Sequence, residues 1–168
     1  MTKLDVDALF AYSKWANDRM LANLRELSEE QFTRALGGSF SSIRDTAAHI
    51  VAGEWVWLRR WTGTNPTAMP DWAKAPSFPE LAAKFVEIEA ERAAFLRSLT
   101  DADLARPLAY ILFSGQHDSQ PLQAQLQHIV NHSSYHRGQV ATMLRQVGAK
   151  PTGTDFITYC REKSAQQT

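Results

Sequence analysis

The chain has a single cysteine in 168 residues and no excess charge of either sign, with 18 Lys plus Arg set against 18 Asp plus Glu. A lone thiol, Cys160, cannot close an internal disulfide, so the fold does not call for an oxidising compartment. Balanced charge argues against a nucleic-acid binder, which carries a basic excess or patch. No apolar run approaches the roughly 20 residues of a membrane helix. The N-terminus, Met1-Thr2-Lys3-Leu4-Asp5-Val6-Asp7, lacks the basic-then-apolar order of a secretory signal. These absences lead to the expectation of a cytoplasmic protein that partners neither a membrane nor a nucleic acid.

Several chemistries are missing as well. There is no Gly-rich phosphate loop and no G-x-S-x-G elbow. Ser133 follows His132, so the HExxH of a zincin, with its glutamate base, is absent. A ferritin-like di-iron centre needs ExxH motifs; here Ile129 and Ser133 stand three residues before His132 and His136. Ser133 and Ser134 lie beside histidines without any triad acid in sight. Cys160 has no histidine nearby in sequence and reads as an incidental thiol.

What is present is helical periodicity. Hydrophobic residues make up 44% of the chain and charged residues 21%, ordinary for one globular domain spanning residues 1–168. Val6, Leu9, Phe10, Leu21, Leu24 and Leu27 recur by threes and fours and predict a first helix over about 6–27. Capping boxes at Ser28–Gln31 and Ser77–Glu80, a serine cap at Ser41 or Ser42, and Thr100 with Asp103 mark further helix starts. The stretch 62–76, with Gly63, Pro66, Pro70 and Pro76, predicts an irregular connection in which Met69 and Trp72 either line a pocket mouth or anchor the loop. Residues near 108–118 are too short and turn-bounded for a bundle helix and read as an extended segment or hairpin. His117 falls in that region as loop. Gln120-Pro121 opens a long helix that Gly148 and Pro151 close, and Thr154 caps a short last helix through Tyr159 and Cys160. Four long helices with long crossovers make an all-α four-helix bundle.

Three of the five histidines sit in that penultimate helix, at His128, His132 and His136. Residues four apart on a helix share a face at about 5–6 Å, close enough for two imidazoles to reach one metal ion. If Ile129 centres the apolar stripe, His136 falls about 20° away, His132 about 60° and His128 about 100°. His136 should therefore be most buried, with His132 flanking it and His128 at the rim. A metal inside the bundle would take His132 and His136 and need a third ligand from elsewhere. His49 is the only other histidine in a helix-like run. It lies about 120° from the centre of its own stripe, though the remaining faces of that helix are apolar too. HxxxH pairs also occur as hydrogen-bonded core histidines, and spacing alone leaves both readings open. Glu54 lies on the apolar stripe, where a free carboxylate is costly; a salt bridge to an arginine of a neighbouring helix is the favoured reading, ahead of a partner orienting a ligand histidine.

The segment Asn131-His132-Ser133-Ser134-Tyr135-His136-Arg137-Gly138-Gln139-Val140 resembles the signature of the DinB family of metalloenzyme-like bundles. Tyr12-Ser13-Lys14-Trp15-Ala16-Asn17 resembles the family's first-helix pattern, His49-Ile50-Val51-Ala52-Gly53-Glu54-Trp55 its second, and Gly148-Ala149-Lys150-Pro151 with Asp155 its tail. Trp15 and Asn17 read as structural. The resemblance implies His49, His132 and His136 as ligands of one divalent transition metal per chain, zinc or nickel foremost. Glu54, His128 and Arg137 are candidates for supporting groups around them, with His128 expected outside the coordination shell. It implies a homodimer and a small-molecule substrate, and an enzyme in which the metal activates a water or a low-molecular-weight thiol co-substrate, as hydrolase or thiol-dependent S-transferase. The alternative is a non-catalytic metal-binding homodimer.

Overall fold

Residues 1–166 are described by a computed structural model; the last two residues of the expected 1–168 domain lie outside the described residues. Four long helices carry the structure: α1 (Lys3–Arg25), α3 (Ile43–Trp61), α4 (Phe78–Arg97) and α6 (Leu122–Gln146). Short helices α2 (Glu29–Thr33) and α5 (Asp101–Ala105), a 3-10 turn (Asp71–Ala73) and a final helix α7 (Phe156–Ala165) fill the connections.

Local chemistry sets most of these boundaries. Ser28 and Gln31, Ser77 and Glu80, and Thr100 and Asp103 form the expected reciprocal caps. Ser42, of the two serines considered, accepts the amide of Asp45 to start α3. The first helix starts earlier than its apolar periodicity suggests, because Thr2 and Asp5 form a further capping box ahead of Val6. In the last helix Asp155, not Thr154, occupies the N-cap position, with no side-chain capping bond, and the helix continues past Cys160 to Ala165. Gly148 closes α6 with φ +80°, a left-handed conformation that favours glycine.

The hairpin expected near 108–118 is present and slightly longer. Strands β1 (Pro107–Ile111) and β2 (His117–Pro121) pair antiparallel, from Pro107 opposite Pro121 to Ile111 opposite His117. His117 thus begins a strand instead of lying in a loop. Gln125 of α6 ties the hairpin down by donating to the carbonyls of Leu108 and Gln120, both at 2.8 Å.

Around the bundle, α3 packs against α6 and α4, and α1 packs against those same two helices. Successive helices α1 and α3 are therefore diagonal, as are α4 and α6, and their connections cross the bundle ends. Val6, Ile43, Ile50, Leu81, Leu126 and Ile129 form the fully buried centre. No helix among the described residues is long and apolar enough to cross a membrane.

The core also contains charge. Glu54, 2% exposed, ion-pairs with Arg92 of α4, which is 1% exposed and also meets Glu89. The salt bridge favoured from sequence is thus present. Glu54 Oε1 accepts from Asn17 of α1 at 2.8 Å and from Ser133 of α6 at 3.0 Å. Arg137 extends the network, donating to Asn17 Oδ1 and Ser134 Oγ, each at 2.7 Å. Burial disfavours the Arg92 cation, but the charges of Glu54 and Glu89 outweigh it and raise its pKa. Removing one member of such a buried pair costs about 3–5 kcal/mol. Glu54→Ala should lower the unfolding free energy in urea by that order and Glu54→Gln by less; a loss of under about 0.5 kcal/mol, typical of surface substitutions, would contradict this role.

Candidate metal centre

The α3–α6 contact brings His49 to His132 and His136. One ring nitrogen from each of the three lies within 4.8 Å of the others, and Nε2 of His49 stands 2.9 Å from Nε2 of His132. Burial follows the helical-wheel order. His136 is buried at 7% exposure, His132 is half-buried, and His128 is exposed on the rim, outside the cluster. His128 contacts the Trp57 ring at 5.1 Å and the His132 ring at 6.0 Å.

The donor set fits a transition-metal cation. Imidazole nitrogens about 2.0–2.1 Å from a tetrahedral ion stand roughly 3.3–3.5 Å from one another, so small side-chain rotations separate the present cluster from a coordinating one. Metal ligation requires neutral imidazole. Burial pulls His49 down to about 4, helped by the charge of His136. His132 is likewise pulled down to about 4, chiefly by burial and then by His136, His49 and His128. At neutral pH both rings are thus uncharged, the state in which imidazole ligates a metal.

Three residues to which sequence reasoning gave no role set the ring positions. Gln139 Oε1 lies 2.8 Å from His136 Nδ1. A carbonyl oxygen only accepts, so Nδ1 is the donor, the tautomer that leaves the lone pair of a neutral ring on Nε2. The spacing, three residues on along one helix face, was its only sequence signal. His132 has no such anchor, for its Nδ1 is buried with no hydrogen-bond partner among the described residues. Packing holds it instead. A Cβ on Gly53 would come within 3.0 Å of His132 Cε1 and 3.4 Å of Nδ1, so a side chain there would press on this ring. Phe40, from the segment before α3, stacks on His49 at 4.3 Å between ring centroids and meets His136 edge-on at 5.5 Å.

None of the three candidate supporting residues hydrogen-bonds a clustered imidazole. Glu54 and Arg137 belong to the buried network, which borders the site through Ser133, beside His132 in sequence, and through Arg137, beside His136. A cleft of about 200 Å³ opens beside His49, lined by Phe40, Asp45, Ala52, Met69, Pro70 and Lys74 among others. Met69 thus faces the site. Trp72 packs on the core and lines a separate cleft of about 580 Å³ over α4.

Residues 1–167 match the DinB family. Protein DinB of Bacillus subtilis (strain 168) is 31% identical over 167 residues, covering 90% of this chain and 91% of that protein. Two solved structures share the fold. One is a DinB-like protein from Bacillus cereus ATCC 10987, with a TM-score of 0.67, 22% identity, and 86% and 94% of the two chains covered. The other is YfiT from Bacillus subtilis, described as a probable metal-dependent hydrolase with an unusual four-helix bundle topology. Its TM-score is 0.68 at 16% identity, covering 89% of this chain and 91% of that one.

The lowered histidine pKa values fix a sign for the metal-free protein. Between about pH 4 and 6.5 the unfolded chain holds protons on His49 and His132 that the folded chain does not. Stability therefore rises with pH through that window and is lost on acidification. Thermal melts in chelator should show a steeper decline from pH 6.5 to 4 in the wild type than in a His49→Gln/His132→Gln variant; parallel declines would contradict the burial of neutral imidazoles.

Proposed function

The chain belongs to the DinB family, and from that premise we propose that it is a divalent-metal-dependent enzyme acting on a small molecule, with His49, His132 and His136 as the metal ligands. The observation that carries this reading is the cluster itself: three convergent histidines from two helices, two of them held neutral by burial, beside an open cleft. Structural zinc sites fill all four positions with protein ligands, whereas catalytic ones keep a position for water or substrate. His128, exposed and outside the cluster, leaves that position free.

A bound cation of this type lowers the pKa of a coordinated water or thiol and polarises a carbonyl. The protein's own residues prepare the place for it. Gln139 holds the His136 tautomer, Gly53 gives His132 its room, and Phe40 stacks on His49. Zinc and nickel are the metals we propose, since imidazole suits both. Water activation, giving a hydrolase, finds support in the description of YfiT; activation of a low-molecular-weight thiol, giving an S-transferase, uses the same ligand set. A homodimer in the cytoplasm completes the proposal. The alternative, a non-catalytic metal-binding bundle, calls for a closed coordination shell.

Metal analysis of untagged protein tests this. Wild type and His128→Ala should carry about one transition-metal equivalent per chain, and His132→Ala and His136→Ala essentially none, with helical circular dichroism intact. Gly53→Ala should remain folded but bind metal more weakly. Stoichiometric metal in a folded His136→Ala variant would overturn the ligand assignment.

A further inference from the structure

Three arginines are almost fully buried, and only two have polar partners. Arg92 meets Glu54 and Glu89, and Arg137 donates to Asn17 and Ser134. The side chain of Arg60, a residue 6% exposed near the end of α3, makes no hydrogen bond or ion pair with any described residue. Aromatic rings surround it instead. Its guanidinium carbon lies 4.8 Å from the Trp57 ring centroid and 5.4 Å from those of Tyr110 and Phe113. Asp118, a carboxylate on the same hairpin, is engaged elsewhere, accepting from the Tyr110 hydroxyl at 2.8 Å and the Ser119 amide at 2.6 Å.

The Arg60 Nε is buried with no partner, and a largely buried guanidinium without a counter-charge carries a cost that cation–π contacts offset only in part. Its planar fork of N–H donors matches a carboxylate or phosphate in bidentate geometry. The cage also borders the histidine cluster. Trp57 also meets the His128 ring at 5.1 Å, and His128 meets His132 at 6.0 Å. Phe113 is 43% exposed, so the cage reaches solvent on the hairpin side.

We propose that Arg60, with Trp57 and His128 beside it, recognises an anionic group, a carboxylate or a phosphate, on the small molecule that the three-histidine centre receives. Arg60 follows His49 by eleven residues on one helix, about 16 Å along its axis. The ligand is therefore elongated, with its charge well separated from its reactive group, and Trp57 offers an apolar wall to the part between. The link to a reactive centre rests on the function proposed above; binding of the anion does not.

The test accordingly uses metal-free protein. Sodium phosphate and sodium acetate are titrated separately at constant ionic strength, with tryptophan fluorescence as the signal, in wild type and Arg60→Met. A saturable response to at least one anion is expected in the wild type, weakened at least about tenfold in Arg60→Met. Preference for phosphate would identify a phosphorylated ligand, and preference for acetate a carboxylic acid. Histidine-ring NMR of the wild type gives a second readout that needs no folded variant: the His128 resonances should shift along the same binding curve. No saturable response to either anion, an unmoved His128, or undiminished binding in a folded Arg60→Met would overturn the proposal. Anion binding in a protein that takes up no metal would instead leave Arg60 its role and remove the reactive centre.

Discussion

A single buried carboxylate joins the four long helices. Glu54 on α3 is bonded directly to Asn17 of α1, Arg92 of α4 and Ser133 of α6. Apolar packing alone is tolerant of sliding, because one leucine fits about as well as another against a greasy neighbour. A buried ion pair with directional hydrogen bonds penalises any slide that breaks it. The register of α3 against α6 decides whether His49 faces His132 and His136. Ser133, the residue after His132, is where the network grips α6. The polar core and the histidine cluster are therefore two layers of one contact.

That contact explains why the site combines loose and rigid parts. His136 is tied by Gln139 and His132 is confined by its fit over Gly53, so α6 presents two rings in defined poses. A glycine in a helix interior costs roughly 1 kcal/mol relative to alanine, and at position 53 the space it leaves is filled by the imidazole. Partial burial keeps His49 and His132 neutral beside the adjoining cleft. The hairpin β1–β2 closes the other end of this face, placing Tyr110 and Phe113 around Arg60 and leaving His128 between the two regions.

Features encoded within a few residues were legible in the sequence. The caps at Ser28, Ser77 and Thr100 each depend on residues three apart, and the order of burial from His136 through His132 to His128 follows from 3.6 residues per turn. Glu54 announced itself as a charge on an apolar stripe. His49 was harder, since the wheel of its own helix placed it off the stripe and only the family resemblance pointed to it. Gly53, Phe40 and Arg60 escaped notice because their roles exist only across helices: 79 positions separate Gly53 from the ring it accommodates. Thr2 was missed as a cap because the apolar periodicity begins four residues later, at Val6.

The proposed metal centre consists of three imidazoles and no fourth protein ligand. X-ray absorption spectroscopy of the zinc-loaded protein in solution tests it most directly, because it counts imidazole and light-atom or sulfur scatterers around the ion. Three imidazole nitrogens at about 2.0–2.1 Å are expected, with one or two exchangeable oxygen ligands, replaced in part by sulfur if a small thiol is added and binds. A shell of four imidazoles, or one closed by the Cys160 thiolate, would contradict it and return the histidines to a structural role.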